Sequence, residues 1–538
     1  MTEQTTPELD AIVIGAGFAG LYQLMQLRDK LGLKARVLEA GGGVGGTWYW
    51  NRYPGARCDS ESHSYMYYFS KELVDEWEWS ERYPGQAEIL RYLNHVADRF
   101  DLRRDIQLDT RVTEAHFDET RKRWNVLTGK GERLSARYLI TAVGCLSSAN
   151  IPRIEGLGDF AGQWYHTGQW PHEGVDFRGK RVGVIGTGST GIQAIPVIAA
   201  QAAHLTVFQR TANYSIPARN APLSESEKAA LKARAGEIRH IMNNNTNGHP
   251  FWIQDRSARD CPETERRALY EAAWEKGGLL FRSIFKDLLV DKAANDTAAE
   301  FIKGKIREIV KDPEKARILS DIDHPFAAKR PPVDSNYFET FNRENVSLVD
   351  LRATPIERIT PAGIRTSAGE HALDIIVFAT GFDAMTGSLL RMDIRGRGGR
   401  ALRKDWEAGP STYLGLQIPG YPNLFTITGP GSPSVLCNLP PHIEQNVDWI
   451  TACIGHLESN GIPTIEATEN AAQAWQQEVE TVARSTLLFD VPHSWYLGAN
   501  VPGKPRVFMP YAGGFARYRS TCEAVADEGY RGFALGAA

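Results

Sequence analysis

Cysteine is scarce in this chain. The six present, Cys58, Cys145, Cys261, Cys437, Cys453 and Cys522, are scattered over 538 residues with no Cys-x-x-Cys pair. That absence removes a dithiol relay from the candidate chemistries, and without a histidine cluster at ligand spacing nothing reads as a metal site. The thiols read as buried and reduced. An excess of one charge is missing too: 61 Lys and Arg stand against 65 Asp and Glu, a formal net charge of −4. Bulk charge therefore points to neither a nucleic-acid nor a membrane partner. No apolar run is long enough to span a bilayer. The polar opening Met1-Thr-Glu-Gln-Thr-Thr6 lacks the basic and apolar regions of a secretory signal, which sets a cytoplasmic expectation. Solenoid repeats and low-complexity segments are also lacking. What remains is a globular chain long enough for two or three domains.

Glycine is present in two matched places. Residues 10–14, Asp-Ala-Ile-Val-Ile, read as a buried parallel strand that runs into Gly15-Ala-Gly17-Phe18-Ala-Gly20, followed by an apolar-periodic helix from Leu21 to about Leu31. The next strand, 36–39, ends in Glu39, 24 positions beyond Gly15, where a βαβ unit places the carboxylate that takes the ribose hydroxyls of an adenine dinucleotide. Glycines in such a loop let the backbone approach a pyrophosphate, whose charge meets the helix N-terminus. A second glycine run, Gly41 to Gly46, leads into Thr47-Trp48-Tyr49-Trp50. Glycines and aromatics packed so closely after the acid suggest more ligand contact than one nucleotide needs, as a flavin dinucleotide would supply. The loop that follows, 51–61, holds Arg57, Asp59 and Ser60, and composition alone reads it equally as a solvated surface loop.

From Lys180 the scheme starts again. Residues 180–185 form a strand, Gly186-Thr187-Gly188-Ser189-Thr190-Gly191 the loop, Ile192 onward a helix, and 204–208 the return strand. The same count of 24 now falls on Arg210. A carboxylate there would repel the 2′-phosphate of NADP, whereas a guanidinium gives it a planar, charge-assisted partner, and Thr211 can add a hydroxyl. The first site is thus expected to take FAD and the second NADPH. Between the loops lies Phe160-Ala-Gly-Gln-Trp-Tyr-His166-Thr-Gly-Gln-Trp170-Pro171. One glycine loop is a weak signal; two, joined by this linker, describe a protein that holds two dinucleotides.

After Pro222 the pattern turns to charged, helix-forming segments, beginning with capping-box spacing at Ser224 and Glu227. About a hundred residues of helix inside a βαβ fold read as an insertion, with 243–249, Asn-Asn-Asn-Thr-Asn-Gly-His, as a flexible turn. Lys329-Arg330-Pro331-Pro332 returns the chain to the nucleotide fold; on composition these cations are solvated. The strand 373–378 ends in Ala379-Thr380-Gly381 and leads back to the first domain, and the aromatic tail 494–509 reads as core packing or more. The expected fold class is α/β, with two Rossmann-like dinucleotide-binding domains. The FAD domain comprises 1–147 and 385–538, the NADP domain 148–222 and 330–384, and the helical insertion 223–329.

With both loops, the Phe-x-Gly-x-x-x-His-x-x-x-Trp-Pro stretch and the Thr380-Gly381 region in place, the chain resembles the type I flavin-dependent Baeyer-Villiger monooxygenases over nearly its whole length, most of all their phenylacetone and steroid branch. The resemblance implies an NADPH- and O2-dependent conversion of ketones to esters or lactones by way of a flavin-bound peroxide, with sulfoxidation as a side activity. It implies Arg330 as the active-site arginine with Asp59 as its acidic partner, Lys329, Arg210 and Thr211 on the NADP phosphate, and Trp495 closing over the nicotinamide cofactor. Around the flavin it implies Glu39, Gly46, Thr47 to Trp50, Arg57, Asp59, Ser60, Tyr65, Val112 and Leu439. Departures from the relatives fall at Cys145, Leu146, Ser60, Pro331 and Ser434-Val435-Leu436, where substrate is expected. His166 and Trp170 are family markers read as positioning the two domains. The expected partners are a ketone and O2, with no nucleic acid or membrane, in a monomer or weak oligomer. Two other readings stand beside this one: a flavin monooxygenase acting on nitrogen or sulfur, and a nucleotide-binding redox sensor without turnover.

Overall fold

The computed structural model describes residues 8–491 and 493–536, so the polar opening of the sequence lies outside the described residues. Two sheets carry the architecture. In the middle of the first is Glu8–Ile14, whose Leu9, Ala11, Ile12, Val13 and Ile14 are all buried, as a parallel strand covered on both faces requires. It pairs in parallel with Ala35–Leu38, placing Ala11 opposite Ala35, and with Arg133–Thr141, placing Ala11 opposite Tyr138. Ile106–Gln107 closes one edge; antiparallel Arg123–Thr128 and Val112–Asp118, then Asp393–Arg395, extend the other. Leu424–Thr426 also joins Arg133–Thr141 in parallel, which brings the last third of the chain back to the first sheet. Helix Phe18–Met25 packs on the long helix Leu439–Ser459.

The second sheet runs Val346–Asp350, His204–Gln209, Arg181–Ile185, Ile375–Phe378, Gln163–His166, all in parallel. Helix Ser189–Ala199 crosses between Arg181–Ile185 and His204–Gln209 as a βαβ unit requires. The His166 stretch is therefore an edge strand of this sheet, with His166 opposite Phe378. Five helices separate the second sheet's halves: Glu225–Ala233, Ala235–Asn244, Glu263–Lys276, Lys292–Ile309 and Pro313–Ser320. The first opens with the expected capping box, Ser224 accepting from Glu227 N while the Glu227 carboxylate accepts from Ser224 N. Pairing of Ile216–Pro217 with Val333–Asp334 brings the two ends of this helical segment together.

Two expectations about loops are corrected. Residues 243–249 are not a flexible turn: Asn245, Asn247 and His249 are buried, Asn245 Oδ1 accepts from Asn247 N and Gly248 N, and Asn247 Oδ1 accepts from His249 N. Asparagine side chains supply the acceptors a buried loop needs, so polarity here does not mean solvation. Nor is 51–61 a solvated loop: Tyr53, Ala56, Cys58 and Ser60 are all buried, Tyr53 and Ala56 in the core of the second nucleotide fold and Cys58 in that of the first. All six cysteines are free and buried. Among the described residues no helix is long and apolar enough to cross a membrane.

Candidate functional site

The two glycine loops superpose in their physics. Gly15 and Gly186 turn with φ of +105° and +110°, a conformation that glycine adopts readily. A Cβ on Gly15 would lie 2.6 Å from Ala142 O and one on Gly186 2.4 Å from Ala379 O, each carbonyl following a neighbouring strand of its sheet. The third glycines, Gly20 and Gly191, are closed off in the same way by the carbonyls of Gly15 and Gly186. At the middle of the second loop the situation reverses: a Cβ on Gly188 would meet nothing within 4 Å. The loop is tight where it holds itself and open in front of the N-terminus of Ser189–Ala199, so the residues fit a bound phosphate. In the first loop a Cβ on Gly17 would lie 3.3 Å from Gly46 Cα, so the two glycine runs approach closely and form one cradle.

Glu39 ends the second strand buried, its two oxygens accepting from Ala16 N and Gly41 N at 2.7 Å each. Burial raises its pKa, and these amides oppose the rise. A carboxylate has lone pairs beyond those two bonds, as a ribose diol requires. The ring of Tyr49 lies along Gly41 and Gly43, where side chains would collide with it. Trp48 is buried and donates Nε1 to Tyr65 Oη at 3.3 Å, with Phe18 edge-on to Tyr65 at 5.3 Å; Val112 is buried in its strand, and Leu439 begins the long helix. Thr47 and Trp50 flank Trp48 on the same short helix, Thr47–Trp50.

At the second site Arg210, exposed, and half-buried Lys329 come together although 119 residues separate them in sequence. The Lys329 pKa is lowered, first by burial and then by the charges of Arg210 and Arg352 against that of Asp323. Arg352 was missed by the sequence reading. It donates Nε to Arg210 O at 2.9 Å and pairs with Asp323 at 2.9 Å and Asp321 at 3.4 Å. Thr187 Oγ1 donates to Thr211 O at 2.9 Å, tying the glycine loop to the Arg210 turn. Three cations gathered beside two carboxylates leave an excess positive charge, as a phosphate monoester requires.

The folds meet at Gln193, a second residue without a sequence signal. From helix Ser189–Ala199 it reaches the 51–61 loop: Tyr53 Oη donates to its Oε1 at 2.8 Å, and its Nε2 donates to Arg57 O at 3.1 Å and Asp59 Oδ1 at 3.3 Å. Arg57 itself pairs with Glu81 at 3.2 Å. Asp59 Oδ1 also accepts from Val333 N at 3.2 Å, so Asp59 holds the segment that carries Arg330. Burial raises the Asp59 pKa, and the Arg330 charge leads the opposing effects. The Arg330 guanidinium donates to Ser60 Oγ at 3.4 Å, and its backbone N–H to Tyr496 Oη at 3.2 Å.

Arg330 opens onto a narrow cavity of 60 Å³ lined also by Val435, Leu436 and Cys437. Of the other expected substrate residues, Cys145 and Ser434 are buried partners beside it, Pro331 is buried next to Arg330, and Leu146 packs on the first core. Arg282, Thr246, Leu488 and Tyr496 line it without any sequence signal. Trp495 is half-buried, its ring 4.5 Å from that of Tyr496. His166 accepts from Gly168 N through Nδ1 at 3.0 Å, and burial pushes its pKa down to about 4. Its ring packs edge-on against that of Phe382 at 6.1 Å.

Residues 12–247 match the family model described as pyridine nucleotide-disulphide oxidoreductase. The chain is 46% identical to a Baeyer-Villiger monooxygenase from Pseudooceanicola batsensis over 98% of this chain and 96% of that one. It is also 46% identical to a phenazine N-monooxygenase from Lysobacter antibioticus, over 99% and 98%. The structure of an oxidised steroid monooxygenase bound to NADP matches with a TM-score of 0.94 at 54% identity, covering 98% of this chain and 99% of that one.

Proposed function

Because the chain belongs to the Baeyer-Villiger monooxygenase family, we propose that its two nucleotide folds serve one oxygenation site at the Arg330 cavity, with a ketone as the group oxidised. The enzyme depends on FAD and NADPH, and FAD reduced by NADPH supplies activated dioxygen for insertion beside a carbonyl. Gly15, Gly17, Gly20, Glu39, Gly46 and the 47–50 helix would hold FAD; Gly186, Gly188, Gly191, Arg210, Thr211, Lys329 and Arg352 would hold NADPH. The FAD unit is assigned to 1–147 and 385–538, the NADP unit to 148–222 and 330–384, and the insertion to 223–329, matching the two sheets and the helices between them.

The observation that carries this reading is the placement of Arg330. Negative charge develops on oxygen when a carbonyl is attacked, and a fixed guanidinium shielded from water stabilises it without being able to quench it with a proton. Ser60 accepts from that group, while Tyr496 takes the Arg330 backbone N–H and Asp59 that of Val333 behind it. Trp495 is assigned to shielding the nicotinamide end. The six unpaired cysteines accord with a reducing, cytoplasmic setting.

The test is a panel of cyclic, aryl and steroid ketones, with a phenazine and a thioether added, scored by mass spectrometry for the gain of one oxygen. Ketones are expected to give esters or lactones, and Arg330→Ala to keep its yellow flavin while making none. Substantial ester from that variant refutes the role of Arg330; oxygenation confined to the phenazine or thioether refutes the ketone reading.

A further inference from the structure

The cavity beside Arg330 contains a second guanidinium for which the reaction has no use. Arg282 lies in the short turn Leu279–Ser283 of the helical segment and lines the cavity together with Arg330 and Tyr496. Among the described residues no carboxylate pairs with it and no acceptor takes its N–H groups; the charges that act on it are Arg330 and the Tyr496 phenol. Burial first, then repulsion from Arg330, lowers its pKa to about 10. His249, buried nearby, is held neutral by burial and by these same two arginines. Arg330 thus has Asp59 as a counter-charge, whereas among the described residues Arg282 has none, and Leu289, Leu436 and Leu488 give the cavity an apolar wall.

Two like charges facing one partly dry space are unfavourable unless something negative joins them. Arg330 faces charge that develops during the reaction; Arg282 needs a charge present before it. We propose that Arg282 is a specificity-determining residue that anchors a carboxylate on the substrate, so that this enzyme prefers keto acids to neutral ketones. The inference rests on the ketone oxygenation proposed above and adds the substrate class. A planar guanidinium takes a carboxylate through two parallel hydrogen bonds, and the apolar wall suits the carbon chain between carboxylate and carbonyl. The cavity is small, 60 Å³, so a short flexible chain displaces its walls least.

The probe pair is 5-oxohexanoate and its methyl ester, which differ in charge and hardly in shape. With the holoenzyme, kcat/KM for the acid is expected to exceed that for the ester by about tenfold or more, the factor a hydrogen-bonded charge supplies. Arg282→Met is expected to remove that ratio and Arg282→Lys to retain part of it. Hexanoate, which has no carbonyl to oxidise, is titrated calorimetrically into the holoenzyme and is expected to bind the Met variant about tenfold more weakly or worse. Equal kcat/KM for acid and ester in the wild type overturns the proposal without need of a variant. So does an unchanged ratio in Arg282→Met; if NADP+ binding weakens there instead, the cation serves the nucleotide. If neither keto compound gains oxygen while the ketone panel does, the keto-acid preference fails and the proposed function stands; if the panel gains none either, that function fails, and the hexanoate titration still decides whether Arg282 binds a carboxylate.

Discussion

Arg210 and Glu39 hold matched places in two βαβ units, and we assign the separation of the cofactors to their opposite charges. Glu39 keeps both oxygens on backbone amides and is buried, whereas Arg210 is exposed, its carbonyl accepting from Arg352. Arg210→Ala is expected to raise KM for NADPH about ten- to a hundredfold, as loss of a hydrogen bond to a charged group implies, and to leave KM for NADH within about twofold. Steady-state kinetics with both cofactors checks this, and equal effects on the two would remove the 2′-phosphate from the account. At this scale the sequence was readable wherever a residue acts through its own neighbours: the glycines, Glu39 and Arg210 all follow from spacing along one strand, turn and helix. Gln193, Arg282 and Arg352 carry no such signal, because each takes its meaning from a segment far away in the chain.

Between residue and molecule stands the crossing of the chain from one sheet to the other. The two strands of chain that cross between the sheets run side by side: Asn150 N donates to Gly381 O at 3.0 Å, Asp383 N to Ser148 O at 2.8 Å and Met385 N to Cys145 O at 2.8 Å. The tail latches onto this ribbon, Asn500 Nδ2 donating to Phe382 O at 2.8 Å and Lys504 Nζ pairing with Asp383 and bonding Ala384 O at 2.6 Å each. Trp495 and the His166 ring, which packs on Phe382, are thereby tied to the same crossing. The Lys504 side chain is 9% exposed and Asp383 31%, so the pair is partly screened, and Lys504→Met is expected to destabilise by about 1–2 kcal/mol. A lower thermal midpoint for the holoenzyme, by about 1–3 °C, checks it, and an unchanged midpoint would mean the latch contributes nothing. The sequence showed Thr380-Gly381 as a return point, and it showed the tail as aromatic. Their pairing was hidden, since about 120 residues lie between partners and no local pattern specifies such a contact.

For the molecule as a whole, one buried acid links folding to pH. Glu444, on the long helix that packs on helix Phe18–Met25, accepts from Tyr68 N and Phe69 N through a single oxygen, with Arg239 3.8 Å from the other. Burial raises its pKa from 4.5 to about 7, and the Tyr68 amide and Arg239 oppose the rise. The native state therefore holds an extra proton between those values, so this group's share of stability is greatest below pH 4.5, falls as pH rises to 7 and is flat above. Glu444→Gln keeps the accepting oxygen and loses the titration. Its stability relative to wild type is expected to improve by up to about 3 kcal/mol between pH 5 and 8, measured by denaturant unfolding at each pH. A difference that stays constant with pH would show the carboxyl ionised throughout. What the sequence alone determined is the pair of nucleotide folds, the opposite charges at their matched positions and the helical block between them, because strand-turn-helix periodicity is a short-range property. Only the tertiary structure decided that the 51–61 loop is buried rather than solvated, that Asp59 braces the chain behind Arg330, and that Arg282 shares the same cavity. Those outcomes depend on side chains from separate folds meeting in space, where burial and charge act over distances that sequence separation does not measure.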